Sequence, residues 1–180
     1  GYEMAGIFQT DEEAASNTAQ PGARAGDVIF IDQNGDGAID ENDKTVIGNP
    51  HPDFTYGITS NVKYKQFDLS LFIQGSHGND LYNGIFRYDL NTTNLPVSAL
   101  ERWTGPGSTN EHPRISHVDA NQNNRVSDRF IEDGSFLRIK NLQIGYSLPD
   151  RIVEKMDIGK FRCYLSASNL LTWTNYTGLD

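Results

Sequence analysis

Several features that mark common classes of protein are scarce in this 180-residue chain. It has one cysteine, Cys163, so no disulfide can form within the chain. The cysteine count therefore does not indicate whether the protein resides in an oxidising or a reducing compartment. There are 15 basic residues against 24 acidic ones, and the net charge of -9 argues against a surface that binds nucleic acid. No apolar run approaches the roughly 18 residues of a membrane-spanning helix. Motifs for nucleophilic catalysis and for phosphate binding are also missing, so we expect no enzyme activity.

The residues capable of acid–base or transition-metal chemistry are scattered. Glu132 and Asp133 are adjacent, so in a strand they point to opposite faces and cannot act as a pair. Cys163 falls in phase with apolar neighbours, and we interpret it as part of an apolar strand face. The four histidines show no metal-ligand spacing and are interpreted as surface or turn residues: His51, His77, His112 and His117.

One short segment, by contrast, is crowded with oxygen ligands. The stretch "FIDQNGDGAIDENDKTVIG" covers residues 30–48. Counting from Asp32, side-chain oxygens occupy positions 1, 3, 5, 9 and 12 and a glycine occupies position 6, which is the ligand spacing of a calcium loop. Calcium is favoured over magnesium because magnesium prefers fewer protein oxygens in tighter geometry. With the main-chain carbonyl at position 7, the predicted ligands are Asp32, Asn34, Asp36, Ala38, Asp40 and Asp43.

The surroundings of this loop indicate a structural role. Gly37 can adopt the positive φ of the sharp turn, and Ile39 can anchor the loop to apolar neighbours. The preceding segment, 28–31, is β-branched and aromatic, so it predicts a strand where an EF-hand sensor has a helix. The short side chain of Asp43 at position 12 predicts a modest calcium affinity. The alternative interpretation is a solvated acidic turn.

Alternating apolar and polar residues predict antiparallel strands. Residues 54–64 and 67–74 are separated only by Lys65 and Gln66, so they predict a tight hairpin. Phe72 interrupts the polar face of the second strand. The apolar face of the pair contains Phe54, Tyr56, Ile58, Val62, Tyr64, Phe67, Leu69, Leu71 and Ile73.

A second pair of strands follows after a long interval. In residues 137–148 the apolar phase changes, which predicts a bulge near Lys140 and Asn141. Residues 161–167 alternate again, with Phe161, Cys163, Leu165 and Ala167 on one face. The connections are short at 65–66, long at 76–133 and short at 149–160, which is the order in an outer membrane barrel. The strand pattern alone fits a soluble sandwich equally well.

The long connection, residues 76–133, is rich in Asn, Gly, Ser and Pro and predicts a loop. Long loops in compact proteins usually carry function. Trp103 could stack on a sugar ring, but packing beneath its own loop is the favoured interpretation.

Four segments together resemble a known family. They are "GDVIFIDQNGDGAIDENDKTVIGNPHPDFTYGI", "FDLSLFIQGSHGNDLYN", "RFIEDGSFLRIKNLQIGYSLP" and "ASNLLTWTNYTGLD". In this order they resemble the C-terminal part of SusC/RagA-type TonB-dependent outer membrane transporters. The resemblance covers most of residues 26–180, whereas residues 1–25 carry no clear match.

The resemblance implies a fold and a function. The expected fold is mainly β, with antiparallel strands and hairpins, as a fragment of a 22-stranded outer membrane β-barrel with long loops. The expected function is import of oligosaccharides, peptides or other nutrients across the outer membrane of a Gram-negative bacterium. The implied partners are a SusD-like lipoprotein and TonB, and both the calcium-type loop 32–43 and the long loop 76–133 are expected on the extracellular side.

The chain itself carries only part of that machinery. It starts at Gly1 without an initiator Met or a signal peptide, so we interpret it as a piece of a longer protein. No plug and no TonB box are recognised, so it is not expected to transport anything alone. The alternative hypothesis is a soluble calcium-stabilised β module that binds glycan through residues 76–133.

An exposed apolar strand face also predicts self-association. A few strands cannot close a barrel. Nine apolar side chains at roughly 1.5 kcal/mol or more each would cost more than about ten kcal/mol in water. The isolated chain is therefore expected to cover this face with residues 76–133 or with another copy, and the second route is favoured.

Overall fold

A computed structural model describes residues 1–86, 94–95 and 97–178. The fold of these residues is mainly β, as predicted, and the strands pair in antiparallel fashion. No helix in the described ranges has the length and apolar character needed to cross a membrane. The elements are β1 (Met4–Ile7), α1 (Asp11–Ser16), β2 (Val28–Phe30), β3 (Phe54–Tyr64), β4 (Phe67–His77), β5 (Asp80–Tyr82), β6 (Ile131–Asp133), β7 (Phe136–Ser147), α2 (Asp150–Lys155) and β8 (Arg162–Thr174).

Within the described residues, the strands form three sheets. β1 pairs with β2, β5 pairs with β6, and the four long strands form a sheet in the order β3-β4-β7-β8. The chain divides into two compact units. The first contains the described residues of 1–49, 81–132 and 177–178, and the second contains residues 50–80 and 133–176.

The hairpin between β3 and β4 has the predicted two-residue turn. Tyr64 pairs with Phe67, so only Lys65 and Gln66 connect the strands. Lys65 has a φ of 54°, the left-handed conformation that lets so short a turn reverse the chain. The register brings the apolar residues of both strands to one face of the sheet.

The predicted bulge in β7 is confirmed. Phe72 of β4 pairs with Asn141 and Ile73 pairs with Ile139, so Lys140 has no partner on β4. The extra residue restores the phase of the apolar pattern, because successive side chains alternate between faces. The apolar residues before and after the bulge therefore share one face: Leu137, Ile139, Leu142, Ile144 and Tyr146.

Two glycines in the large sheet make room for larger side chains of neighbouring strands. Gly75 of β4 pairs with Tyr56 of β3, and a Cβ built on Gly75 would lie 2.2 Å from Cζ of the Tyr56 ring. The ring therefore covers the glycine. On the other face, a Cβ at Gly145 would lie 2.5 Å from a carboxylate oxygen of Asp68, which pairs with Arg162 across β7. The Nε of Arg162 lies 3.0 Å from Oδ1 of Asp68.

The first unit has a small aromatic core around β1 and β2. Tyr2, Val28 and Phe30 form a buried cluster, and Ile39 packs against it as predicted. All three residues of β2 pair with β1: Val28 with Ile7, Ile29 with Gly6 and Phe30 with Met4.

The other edge of β2 is closed by side-chain amides. Oδ1 of Asn123 accepts the N–H of Val28 at 2.9 Å, and Oε1 of Gln20 accepts the N–H of Phe30 at 2.8 Å. The carbonyl of Val28 accepts Nε2 of Gln20 at 2.8 Å and Nδ2 of Asn121 at 2.9 Å. All three amide side chains are buried, so they replace a neighbouring strand.

An ion pair with a buried carboxylate joins the same region to residue 114. The side chain of Asp27 is 1% exposed, and its Oδ1 lies 2.8 Å from Nε of Arg114. Nδ2 of Asn123 donates to the same Oδ1 at 2.9 Å, and the main-chain N–H of Arg24 donates to Oδ2 at 2.9 Å. Buried carboxylates are tolerated when they are paired and hydrogen-bonded in this way.

The long connection contains several short elements in its described part. Besides β5 and β6 it has 3-10 turns at Gly84–Phe86, Val97–Glu101 and Asp128–Phe130. Residues 87–93 and 96 of the predicted 76–133 loop lie outside the described residues. Trp103 donates its indole N–H to Oε1 of Gln9 at 3.2 Å, and its ring lies against Gly26. Trp103 is thus a packing residue, but these partners belong to the N-terminal segment and not to its own loop, as the favoured interpretation had it.

Candidate metal-binding loop

The predicted calcium loop leaves β2 and ends in a 3-10 turn at Glu41–Asp43. A strand enters the loop, as expected, and ends at Phe30. Gly37 adopts a φ of 83°, the conformation predicted for it, and Gly35 adopts a φ of 73°. Side chains disfavour this left-handed region, which explains why both sharp bends fall on glycine.

The oxygens of the first half of the loop accept hydrogen bonds from the loop's own backbone. The carboxylate of Asp32 accepts the N–H of Gly35 at 2.7 Å and the N–H of Gly37 at 2.8 Å. Oδ1 of Asn34 accepts the N–H of Asp36 at 2.9 Å. Oδ1 of Asp36 in turn accepts the N–H of Ala38 at 3.0 Å. These bonds fold the side chains of positions 1, 3 and 5 back over the turn.

Asp43 closes the loop from its far end. Its side chain is buried, its Oδ1 accepts the N–H of Gln33 at 2.9 Å and its Oδ2 accepts the N–H of Asp40 at 2.7 Å. The bond from Asp40, followed by that from Gln33, holds the pKa of Asp43 below its usual value. Oδ1 of Asp40 caps the 3-10 turn by accepting the N–H of Asn42 at 2.8 Å.

The donor chemistry of the loop fits calcium, although the ligands are not gathered into one site. All six predicted ligands offer oxygen, and Asn34, Asp36 and Asp40 are exposed at the surface. Each carboxylate oxygen that accepts one N–H keeps a second lone pair. Across the described residues, no group of three or more His, Cys, Asp or Glu side chains has the arrangement of a metal site. Calcium therefore stays a prediction.

Arg125 supports the loop from a position that the sequence did not indicate. Its Nη1 donates to the carbonyl of Ile39 at 3.3 Å, and its guanidinium lies 5.2 Å from the ring centre of Tyr2 and 5.3 Å from that of Phe30. Arginine readily stacks on aromatic rings while donating hydrogen bonds. The two partners are 86 positions apart in the sequence, which explains why no local pattern revealed this contact.

Glu132 and Asp133, adjacent in sequence, have separate structural partners. Glu132 binds Asn83 and Thr177, whereas Asp133 accepts the N–H of Ser135 at 2.8 Å. The expectation that Glu132 and Asp133 do not act together agrees with these contacts.

The chain is similar to known receptors over all or most of its length. It is 34% identical over 182 residues to TonB-dependent receptor P3 of Formosa agariphila, which covers 100% of the chain and 18% of that receptor. It is 31% identical over 155 residues to TonB-dependent receptor SusC of Bacteroides thetaiotaomicron, which covers 84% of the chain and 15% of SusC. No protein-family model matches the chain.

Solved structures share its fold. The RagAB peptide importer in the open-open state matches 98% of the chain and 19% of the solved chain, with a TM-score of 0.71 and 22% identity. A second structure, the RagAB peptide transporter, matches with a TM-score of 0.69 and 25% identity. The first of these likenesses concerns the fold alone.

The chain spans 15–18% of the length of these two curated relatives. Those relatives are receptors and transporters, not enzymes, in agreement with the expectation from the sequence. The resemblance of its four segments, the curated relatives and the shared fold agree with one another, and the chain therefore belongs to the SusC/RagA-type TonB-dependent receptors.

Proposed function

We propose that this chain is part of an outer membrane TonB-dependent transporter that imports oligosaccharides, peptides or other nutrients into a Gram-negative bacterium. The observation that carries the proposal is its 34% identity, over its whole length, to a TonB-dependent receptor. The likeness to the RagAB peptide transporter, at 25% identity, supports a role in nutrient uptake. A SusD-like lipoprotein is the surface partner, and TonB supplies the energy. The segment alone does not transport.

In this proposal the four-stranded sheet is part of the wall of a 22-stranded barrel. Its strands are 11, 11, 12 and 13 residues long, enough to cross the hydrocarbon layer when tilted. The apolar face meets lipid, and the face that holds Asp68 and Arg162 lines the interior. The apolar residues at the two ends of β3 include Phe54, Tyr56 and Tyr64, as in the aromatic girdles of such barrels.

Two neighbouring residues of β4 test this orientation. Leu69 lies on the apolar face between Val62 and Ile144, whereas Ser70 lies on the polar face between Asn61 and Gln143. In the full-length receptor, Leu69→Lys is expected to cost about 2–4 kcal/mol, because a lysine on the lipid face at mid-membrane is costly. Ser70→Lys, the matched control, places the same charge toward the interior and is expected to cost little.

The readout is the amount of folded receptor in the outer membrane fraction, together with growth on purified oligosaccharides or peptides as sole nutrient. A strong loss for Leu69→Lys and near-normal levels for Ser70→Lys support the orientation. Equal tolerance of both lysines contradicts it. A receptor that fractionates outside the outer membrane contradicts the proposed function itself.

The loop at 32–43 is proposed to bind calcium and to stiffen an extracellular loop. The ligands are Asp32, Asn34, Asp36, the carbonyl of Ala38, Asp40 and Asp43, and the support is their spacing and all-oxygen chemistry. Ion binding draws the exposed carboxylates together and offsets their mutual repulsion.

Isothermal titration of the chain with millimolar calcium tests the loop. The natural sequence is expected to bind with modest affinity, and the double variant Asp32→Asn with Asp36→Asn is expected to lose binding because two charged ligands are neutralised. Glu12→Gln, an exposed carboxylate in α1, is the control and should not alter the titration. No heat from the natural sequence at millimolar calcium would remove this proposal.

A further inference from the structure

The chain contains two Asn-Gly dipeptides, at Asn34–Gly35 and at Asn83–Gly84. An asparagine side chain can be attacked by the main-chain nitrogen of the next residue, which closes a succinimide ring and releases ammonia. Glycine favours this reaction because it has no Cβ to obstruct the approach of its nitrogen. The two dipeptides therefore have the same intrinsic chemistry, and their surroundings decide which of them reacts.

The side chain of Asn34 is exposed and folded back toward Gly35. Oδ1 of Asn34 accepts the main-chain N–H of Asp36 at 2.9 Å. This hydrogen bond is an Asx turn, which spans Gly35 and brings the side-chain carbonyl of Asn34 back over the Gly35 nitrogen. The same N–H lies at the oxygen on which negative charge develops when a nitrogen attacks Cγ, so it stabilises that charge.

The attacking nitrogen and the leaving nitrogen each contact a carboxylate. The N–H of Gly35 donates to Oδ1 of Asp32 at 2.7 Å, so a proton acceptor is in place at the nitrogen that attacks. Nδ2 of Asn34, which leaves, donates to Oδ2 of Asp36 at 2.8 Å. The loop therefore holds all three reacting groups of one dipeptide: the nitrogen that attacks, the carbonyl that is attacked and the nitrogen that departs.

The second dipeptide has the same turn in a different environment. Oδ1 of Asn83 accepts the N–H of Ile85 at 3.1 Å, which is again an Asx turn. Asn83 is fully buried, however, and its Nδ2 donates to Oε1 of Glu132 at 2.8 Å and to Oγ1 of Thr177 at 3.1 Å. Loss of this nitrogen would leave a buried carboxylate without a hydrogen-bond donor, which is costly. Asn83 is therefore a built-in reference for Asn34.

We propose that Asn34 is a site of self-modification, at which the folded loop deamidates its own side chain. The Gly35 nitrogen bonds to Cγ of Asn34, and the bond from Cγ to Nδ2 breaks. The proton that Asp32 accepts from Gly35 reaches the departing nitrogen through water, so ammonia is released. Water then opens the succinimide at either carbonyl and leaves aspartate or isoaspartate at position 34. The modified loop carries one more negative charge, and the proposal depends neither on calcium binding nor on the imported nutrient.

Mass spectrometry of the aged chain tests the proposal. The full chain is kept at neutral pH in a non-ionic detergent with EDTA, so that calcium plays no part, and samples taken over several days are digested with trypsin. The tryptic peptides 25–44 and 66–87 contain Asn34 and Asn83, respectively. We expect the first peptide to gain about 1 Da, with aspartate and isoaspartate forms that separate on chromatography and fragment ions that locate the change at position 34. The second peptide is expected to keep its mass.

One variant decides whether the contact with Asp32 drives the reaction. Asp32→Asn removes the carboxylate beside the Gly35 nitrogen and is expected to slow conversion at least about threefold. Glu41→Gln is the matched control, because it neutralises an exposed carboxylate of the same segment that binds Lys44 instead, and it should leave the rate unchanged. In concentrated urea, Asp32→Asn and the natural chain should react equally fast, because the contact exists only in the folded loop.

Circular dichroism checks that both variants keep the β-sheet spectrum, and the comparison of Asn34 with Asn83 in the natural chain needs no variant. Selective conversion of Asn34, slowed by Asp32→Asn only in the folded chain, supports the proposal. It is overturned by no conversion at Asn34, by equal conversion at Asn83, by an unchanged rate in folded Asp32→Asn, or by the same slowing in urea.

Discussion

At the scale of single residues, Glu132 connects three distant parts of the first unit. Its Oε1 accepts Nδ2 of Asn83 at 2.8 Å and Oγ1 of Thr177 at 2.7 Å, while its Oε2 accepts the N–H of Thr177 at 2.7 Å. Burial alone raises the pKa of Glu132, but the bonds from Thr177 and Asn83 outweigh it and hold the pKa below the usual value. The carboxylate is therefore bound more strongly in its ionised form.

Glu132→Gln is expected to destabilise the chain at neutral pH by about 1.5–3 kcal/mol, the usual contribution of hydrogen bonds to a charged group. The amide nitrogen that replaces Oε2 cannot accept the N–H of Thr177. Because the folded-state pKa of Glu132 is lowered, its contribution is present above the usual value of 4.5 and is lost as pH falls through the folded-state pKa. Urea unfolding at pH 7 and at pH 3 measures this difference. A constant difference between the two proteins at both pH values contradicts the assignment.

At the scale of elements, the long strands could be predicted from the sequence, because each contains its own alternation of apolar and polar residues. The limits of β3 are those predicted, and the bulge at Lys140 was visible as a change of phase. β8 extends to Thr174, beyond its predicted end at residue 167. The prediction stopped early because Asn169, with a φ of 51°, interrupts the alternation of apolar and polar residues. Such an interruption in the sequence does not show whether the strand continues after it.

The short elements and the contacts of the loop could not be predicted in the same way. β1, β5 and β6 have only three or four residues, too few to show a period. Their conformation depends on partners far along the chain. For the candidate loop, the sequence indicated the bend at Gly37 and the anchor Ile39. The bend at Gly35 was not predicted, and the closing bonds of Asp43 and the support from Arg125 depend on tertiary structure.

The contact of Tyr56 with Gly75 gives a test at this scale. Gly75→Ala places a Cβ where the Tyr56 ring now lies, so it is expected to cost about 1–3 kcal/mol through overpacking. Gly159→Ala is the control, because no heavy atom lies within 4 Å of its added Cβ. Thermal unfolding followed by circular dichroism compares the variants. In a Tyr56→Ala background, Gly75→Ala should lose most of its cost, and an unchanged cost there would show that the ring is not responsible.

At the scale of the whole molecule, the apolar face of the large sheet remains open to solvent in places. Ile58, Val62, Tyr64 and Phe67 are more than half exposed, while Leu69, Leu71 and Ile73 are partly buried. Contiguous apolar surface of this kind usually meets lipid or another protein. Self-association in water, predicted from the sequence, thus stays a prediction with a clear structural reason.

Light scattering at micromolar concentration, in buffer without detergent, measures this association. The natural chain is expected to form dimers or larger species, and Ile58→Thr with Val62→Thr is expected to weaken them by removing apolar surface from one face. The control is Thr59→Ser with Lys63→Arg, which alters the opposite face of the same strand. A stable monomer of the natural chain contradicts the prediction.

The amide-closed edge of β2 also has a consequence for the order of folding. The partner of Val28 on that edge, Asn123, lies 95 positions later in the chain. Contacts of such long range form slowly, because closing the intervening loop costs entropy before the contact stabilises it. The first thirty residues therefore cannot complete their hydrogen bonding by themselves. Their final structure waits for residues 121–123, which makes docking of that segment a late, rate-limiting step for this unit.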